Sequence, residues 1–143
     1  MAKTFTAPFA QAPKCVTAVS SNTAAGITTD SISNSTLLLT AGADGALITR
    51  LVAMPRTTIG ATAAYLFHSN NSGTTQRIID SITLGAQTLA SSTQSSGIIL
   101  TAFTNISETT PLRLGAGESI YVGIGNTQPS GNGIVFSAQY TDF

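Results

Sequence analysis

Histidine occurs once in this chain, at His68, and cysteine once, at Cys15. A Ser-His-Asp or Cys-His arrangement would have to run through His68, because such groups are defined by a base held between a nucleophile and an orienting acid. The residues around it read "ATAAYLFHS", a strand-like run with no motif, so His68 is read as an exposed or hydrogen-bonded strand histidine. A Cys/His zinc set and a two-histidine site both need more ligands of these types than the chain has. Lys14 beside Cys15 favours the thiolate slightly. With no second cysteine to pair with, Cys15 reads as a plain reduced thiol.

General acid–base work by paired carboxylates needs two acidic residues brought together across the fold. Six are available: Asp30, Asp44, Asp80, Glu108, Glu118 and Asp142. Asp44 and Glu118 fall in turns. Asp80 lies within a strand three residues after Arg77 and is expected to face solvent. "GADGALI" lacks both the Lys-Ser/Thr of a phosphate loop and the acidic series of a calcium loop. No catalytic residue, cofactor or metal ligand is therefore assigned. An enzyme reading would require a pocket that joins His68 to two carboxylates.

Composition narrows the classes further. The 143 residues suit one domain with a real core. Charged residues make up 8%, with six basic and six acidic side chains. A chain this neutral offers no footprint for a phosphate backbone, which excludes nucleic acid as the expected partner. At 42% hydrophobic it has the material for a core, which disordered chains lack. No window approaches the about 18 apolar residues of a membrane span. The opening "MAKTFTAPFAQAPK" has no apolar signal core, so synthesis and residence in a cytoplasm are expected. A surface so poor in charge favours association, and coverage by neighbours in an assembly is the expected remedy.

The elements that must position these residues are strands. Residues 1–13, with Pro8 and Pro13, read as an extended N-terminal arm, and residues 14–143 as a single domain. From "KCVTAVS" onward, short β-prone runs alternate with turn signals. Asp44-Gly45 between "STLLLTA" and "ALITRLVAMP" predicts a hairpin. Asn71-Ser72-Gly73 predicts a second, between "ATAAYLFHS" and "TTQRIIDSITL". "PLRLGAGESIYVGIG" reads as strand, turn and strand, with Leu112, Leu114, Ile120, Val122 and Ile124 feeding a core. A last strand after "NTQPSGNG" alternates through Ile134, Phe136, Ala138 and Tyr140. Eight or nine short strands and no helical period predict an all-β antiparallel sandwich, jelly-roll-like first and immunoglobulin-like second.

"LLLTAGADGALITRLVAMPR", "GTTQRIIDS" and "PLRLGAGESIYVGIG … GIVFSAQYTDF" resemble small structural proteins of tailed bacteriophages. The likeness runs from about residue 36 to residue 143, and "TFTAPFAQAP" at the N-terminus is similar too. It implies a non-enzymatic virion component, a capsid decoration (cement) protein on the outside of the shell, assembled in the host cytoplasm. The implied partners are the major capsid protein and further copies of this chain, as a homotrimer. Phe5, Pro8 and Phe9 are the expected contact residues, because exposed aromatics on an arm find a partner. The alternatives are a phage tail, fibre-adaptor or head–tail joining protein, and a carbohydrate-binding sandwich in which Tyr65, Tyr121 or Tyr140 stacks on a sugar.

Overall fold

In the computed structural model, described over residues 12–89, 92, 101–128 and 133–143, every regular element is a β-strand. They are β1 (Ala12–Ser20), β2 (Thr36–Thr40), β3 (Ala46–Pro55), β4 (Thr62–Ser69), β5 (Arg77–Leu84), β6 (Thr101–Ala102), β7 (Leu112–Leu114), β8 (Ser119–Ile124) and β9 (Ile134–Asp142). Two antiparallel sheets pack face to face as a β-sandwich. One has the order β1-β9-β3, with β6 and β7 both on the far edge of β3; the other has the order β2-β8-β4-β5. Ala12 and Pro13, at the end of the arm as read from sequence, form the start of β1. Phe5, Pro8 and Phe9 lie outside the described residues.

The core is what period-two alternation requires. Ile120, Val122 and Ile124 of β8 and Ile134, Phe136 and Ala138 of β9 are all fully buried. Leu66 and Ala64 of β4 join them, with Ile48, Leu51 and Ala53 of β3 opposite. Along β3 the inward positions change parity after Ile48, because a bulge at Thr49 inserts one residue against β9. Leu114 is buried and Leu112 packs partly buried at the margin.

Hairpin chemistry misdirects at one of the two places where it was read. β4 and β5 do form a hairpin around Asn71-Ser72-Gly73, with Ser72 and Gly73 both at positive φ. The Asp44-Gly45 turn does not join paired strands: β2 pairs with β8, and β3 with β9. It is a tight arch between the two sheets. Its backbone groups are satisfied elsewhere, with Ala41 N donating to Glu118 O at 2.8 Å and Phe143 N to Gly45 O at 3.3 Å. Gly45 has φ +100°, and a Cβ there would meet the Leu114 carbonyl oxygen at 2.5 Å, so the arch needs this glycine. β7 and β8 likewise enter different sheets, as do β8 and β9. "PLRLGAGESIYVGIG" is thus a second arch rather than a paired unit.

The long β1–β2 connection covers the outer face of the second sheet. Ala24 N donates to Ile124 O at 2.8 Å, and Ala24 is buried. Beneath it Phe67, on the outward side of β4, is fully buried. The far end of the connection is tied to β5 by the Arg77–Asp30 pair and by Gln76 N donating to Asp30 O at 3.0 Å. Gly123 makes this cover possible. A Cβ at that position would stand 2.8 Å from Ala24 Cβ and 3.0 Å from the Phe67 ring. Gly123→Ala should therefore destabilise by about 1–3 kcal/mol through overpacking, although alanine suits an ordinary strand better than glycine. Urea unfolding monitored by tyrosine fluorescence checks this; an unchanged midpoint would show that the cover yields freely.

Candidate functional site

The two sheets close on one side and part on the other. β1 lies beside β2, where Thr36 Oγ1 donates to Val19 O at 3.5 Å. No strand of the opposite sheet approaches β5 as closely among the described residues. Between β5 and β7 a cleft of about 410 Å³ opens. Its apolar walls are Leu66, Ile79, Ile106, Pro111 and Leu112, and its polar groups come from His68, Asp80, Asn105, Arg113 and Glu118.

Each polar group is there for a local reason. His68 follows Leu66 by two residues on β4 and so points to the same inner side, near the strand's end. Asp80 stands directly opposite Leu66 because Ile79 is bulged out of the β4–β5 ladder. Residues opposite each other share a face, so the carboxylate occupies a position that continues the core row of Leu84 and Ile82. The expectation that Asp80 faces solvent is corrected: it is half-buried and lines the cleft. Oδ1 accepts from Ser81 N at 2.7 Å, while Oδ2 is buried with no partner among the described residues. A buried acceptor left in that condition costs about 1–3 kcal/mol.

Glu118 closes the turn after β7. Its Oε2 accepts from Gly115 N at 2.7 Å and stands 3.2 Å from His68 Nε2. The Gly115 N–H holds this carboxyl below its usual range; partial burial opposes the shift and His68 adds to it. Ile106 is positioned by the loop before β7, where Phe103 N donates to Leu51 O at 3.1 Å and Ile106 N to Phe103 O at 3.3 Å. The Ser107 hydroxyl meets those of Thr109 and Thr110 at 3.0 and 2.8 Å, tightening the same loop. Arg113, exposed at the rim, makes no ion pair among the described residues.

The structure thus assembles the set that an enzyme reading requires, one histidine and two carboxylates around a single cleft. Among the described residues, no serine, threonine or cysteine lines the cleft. Glu118, with a lowered pKa, is ionised at neutral pH, the opposite of what a general acid needs. Among the described residues, no group of three or more His, Cys, Asp or Glu side chains could hold a metal ion.

The tyrosines singled out as sugar-stacking candidates are not brought together. Tyr65 packs near Phe67 with ring centroids 6.0 Å apart on the covered face, and the Tyr121 hydroxyl lies against Gly73. Tyr140 sits under Lys14, whose Nζ is 5.9 Å from the ring centroid. None lines the cleft. Asp80, Asn105 and Arg113 were not singled out as a group in the sequence. The signal that could have flagged Asp80 is a carboxylate in register with the core positions Ile82 and Leu84. Comparison with protein-family models, curated proteins and solved structures finds no match to this chain.

Glu118 gives a pH test with a definite sign. Because its folded pKa is depressed, its contribution to stability is fully present above the ordinary value of 4.5 and is lost as pH falls through the lower folded value. Glu118→Gln keeps an acceptor for Gly115 N but removes the charge. The wild-type advantage over this variant in urea unfolding should be constant above pH 5 and shrink as the solution is acidified below about 4. Parallel curves throughout would mean that the turn is held without the charge.

Proposed function

We propose that this chain is a non-enzymatic structural protein of a tailed-phage virion, a decoration (cement) protein that binds the outside of the capsid lattice. The observation that carries this reading is a nearly uncharged surface with apolar side chains at both of its opposite edges. Val19 and Leu37 are 40% and 49% exposed at the β1–β2 seam, and Ile78 and Ile79 are 41% and 43% exposed on β5. Edges placed on opposite sides favour heterologous contacts between copies, which close into rings such as a trimer. Weak contacts to a repeating shell then reinforce one another through effective concentration.

The strand order supports the jelly-roll reading of the sandwich. Strands β1-β9-β3-β7 face β2-β8-β4-β5, so the chain crosses between sheets at nearly every connection, as two Greek keys require. The likeness of phrasing to phage structural proteins supplies the virion context, and an arm carrying Phe5, Pro8 and Phe9 supplies a segment able to lie on a capsid sheet edge.

Copy number tests the proposal. Quantified gel bands of purified particles should give this chain in a ratio near one to the major capsid protein, or in a fixed fraction set by capsid symmetry. A handful of copies per particle would make it a tail, fibre-adaptor or joining protein instead, and absence from particles would end the virion reading. Removing residues 1–11 should leave the thermal midpoint within a few degrees, since the β1–β9 ladder starts at Ala12, while lowering retention on emptied capsids. Full retention would show that the arm is not the contact.

The cleft favours a second reading, ligand binding, which is compatible with the first.

A further inference from the structure

We propose that the outer edge of β5 takes up the N-terminal arm of a second copy of this chain, which adds to the sheet as a strand and turns Phe5 and Phe9 toward the mouth of the cleft between β5 and β7.

The receiving edge is the last strand of its sheet. β5 ends the order β2-β8-β4-β5, so among the described residues its far side has no strand partner. Unpaired N–H and C=O groups make such an edge a template for a further chain, and short length, lysine or proline usually blunts it. β5 runs for eight residues as RIIDSITL, with neither lysine nor proline. Beyond the bulge at Ile79, Asp80 to Leu84 pair regularly with β4 and so present a regular outer edge. Ile78 and Ile79 are exposed along it. Ile79 also opens onto the cleft, beside the partly buried Pro111 and Leu112. An added strand gains backbone hydrogen bonds along such an edge, and its alternate side chains meet the apolar mouth beside it.

The arm has the pattern this edge accepts. Phe5, Ala7 and Phe9 alternate, so an extended arm carries both rings on one face. Pro8 holds the residue before it extended. Having no N–H, Pro8 suits an added strand when it points away from β5, which leaves Phe5, Ala7 and Phe9 to make the backbone bonds. Geometry selects a neighbour's arm over the chain's own. Residues 1–11 lead into β1, at the opposite side of the sandwich from β5, because β1 lies beside β2. Strands spaced about 4.8 Å apart put β5 about 14 Å from β2. Phe9, three residues before Ala12, reaches at most about 11 Å from it. One copy's arm therefore meets the next copy's β5, a head-to-tail contact that closes into a ring. It rests on the self-association in the reading above and needs no capsid. Loss of the ring lowers retention on a capsid as well, since avidity goes with it.

The test is sedimentation velocity of the full chain over a micromolar concentration series, beside two full-length variants. The wild type should sediment as a closed oligomer. Phe5→Ala with Phe9→Ala removes the inserted rings, and Ile79→Lys puts a charge at an exposed position of the receiving edge. Each should keep the wild-type circular dichroism and associate about tenfold more weakly or worse, as expected for loss of apolar anchors. An equimolar mixture of the two variants should form dimers and nothing larger, because it holds one sound arm and one sound edge. A wild type that is monomeric at every concentration, a variant that associates as the wild type does, or a mixture that stays monomeric would each overturn the proposal. No particle enters this experiment, so its outcome is independent of the copy number that tests the virion reading.

Discussion

Strand β9 holds the first sheet together, and most of the architecture depends on that double pairing. It pairs with β1 along one edge, from Ala12 opposite Asp142 to Ser20 opposite Ile134, and with β3 along the other. Its inward residues Ile134, Phe136 and Ala138 are fully buried, so the strand supplies both the ladder and the centre of the core. Neither partner is near it in the chain. Almost every connection crosses from one sheet to the other, so only β4 and β5 find each other locally. A fold of such distant pairings acquires its stability late, after loop closure over most of the chain.

This crossing pattern also explains why the sandwich is open on one side. β1 and β2 lie at matching edges of their sheets and are joined by a connection that covers the outer face of the second sheet. On the other side, among the described residues, β3 is flanked by the short β6 and β7, while β5 extends for eight residues. Sheets of unequal extent cannot bury their whole inner faces against each other. The inner-face positions beyond the buried Leu66, at His68 and Asp80, line the cleft. Asp80 stands there half-buried, with Oδ1 taken by Ser81 N and Oδ2 without a partner among the described residues. The bulge at Ile79 decides which side chain stands there, since without it Ile79 would oppose Leu66.

Much of the fold was legible in the sequence because alternation and turn residues act locally. The β8 and β9 core rows, the β4–β5 hairpin and the all-β class follow from period-two spacing and from Asn71-Ser72-Gly73. Strand partners were less legible. Asp44-Gly45 makes the tight turn its residues demand, but the turn itself does not dictate whether the strands that leave it pair or separate. That depends on where Leu38, Leu39 and Ile48 find apolar partners, which is a property of the whole core. Faces were readable by alternation on β5 too: Asp80 stands in the row of Ile82 and Leu84, and the expectation of a solvent-facing carboxylate, drawn from its spacing to Arg77, passed over that row. The candidate site lay in the least legible part, because it is made by a register shift, a turn carboxylate and a loop residue contributed from distant parts of the chain.

Three of the acidic residues, Asp30, Glu118 and Asp142, are placed where they restrain the chain. Lys14 meets Asp142 at 2.5 Å, tying the first strand to the last. Arg77 grips Asp30 through two hydrogen bonds of 2.9 and 2.8 Å and holds down the cover over the second sheet. Glu118 joins His68 to the turn that starts β8. Exposed pairs of this kind contribute little stability each, because water screens them and holding long side chains costs entropy. What they provide is selection among nearly equal arrangements of loops and ends, at points where the backbone ladder gives no instruction. The exposed Asp44, Glu108, Arg50, Arg56 and Arg113 make no ion pair among the described residues and are left to water. Asp80 differs from both groups: Oδ1 is taken by Ser81 N and Oδ2 is buried without a partner among the described residues, so its carboxylate costs the fold free energy rather than tying it.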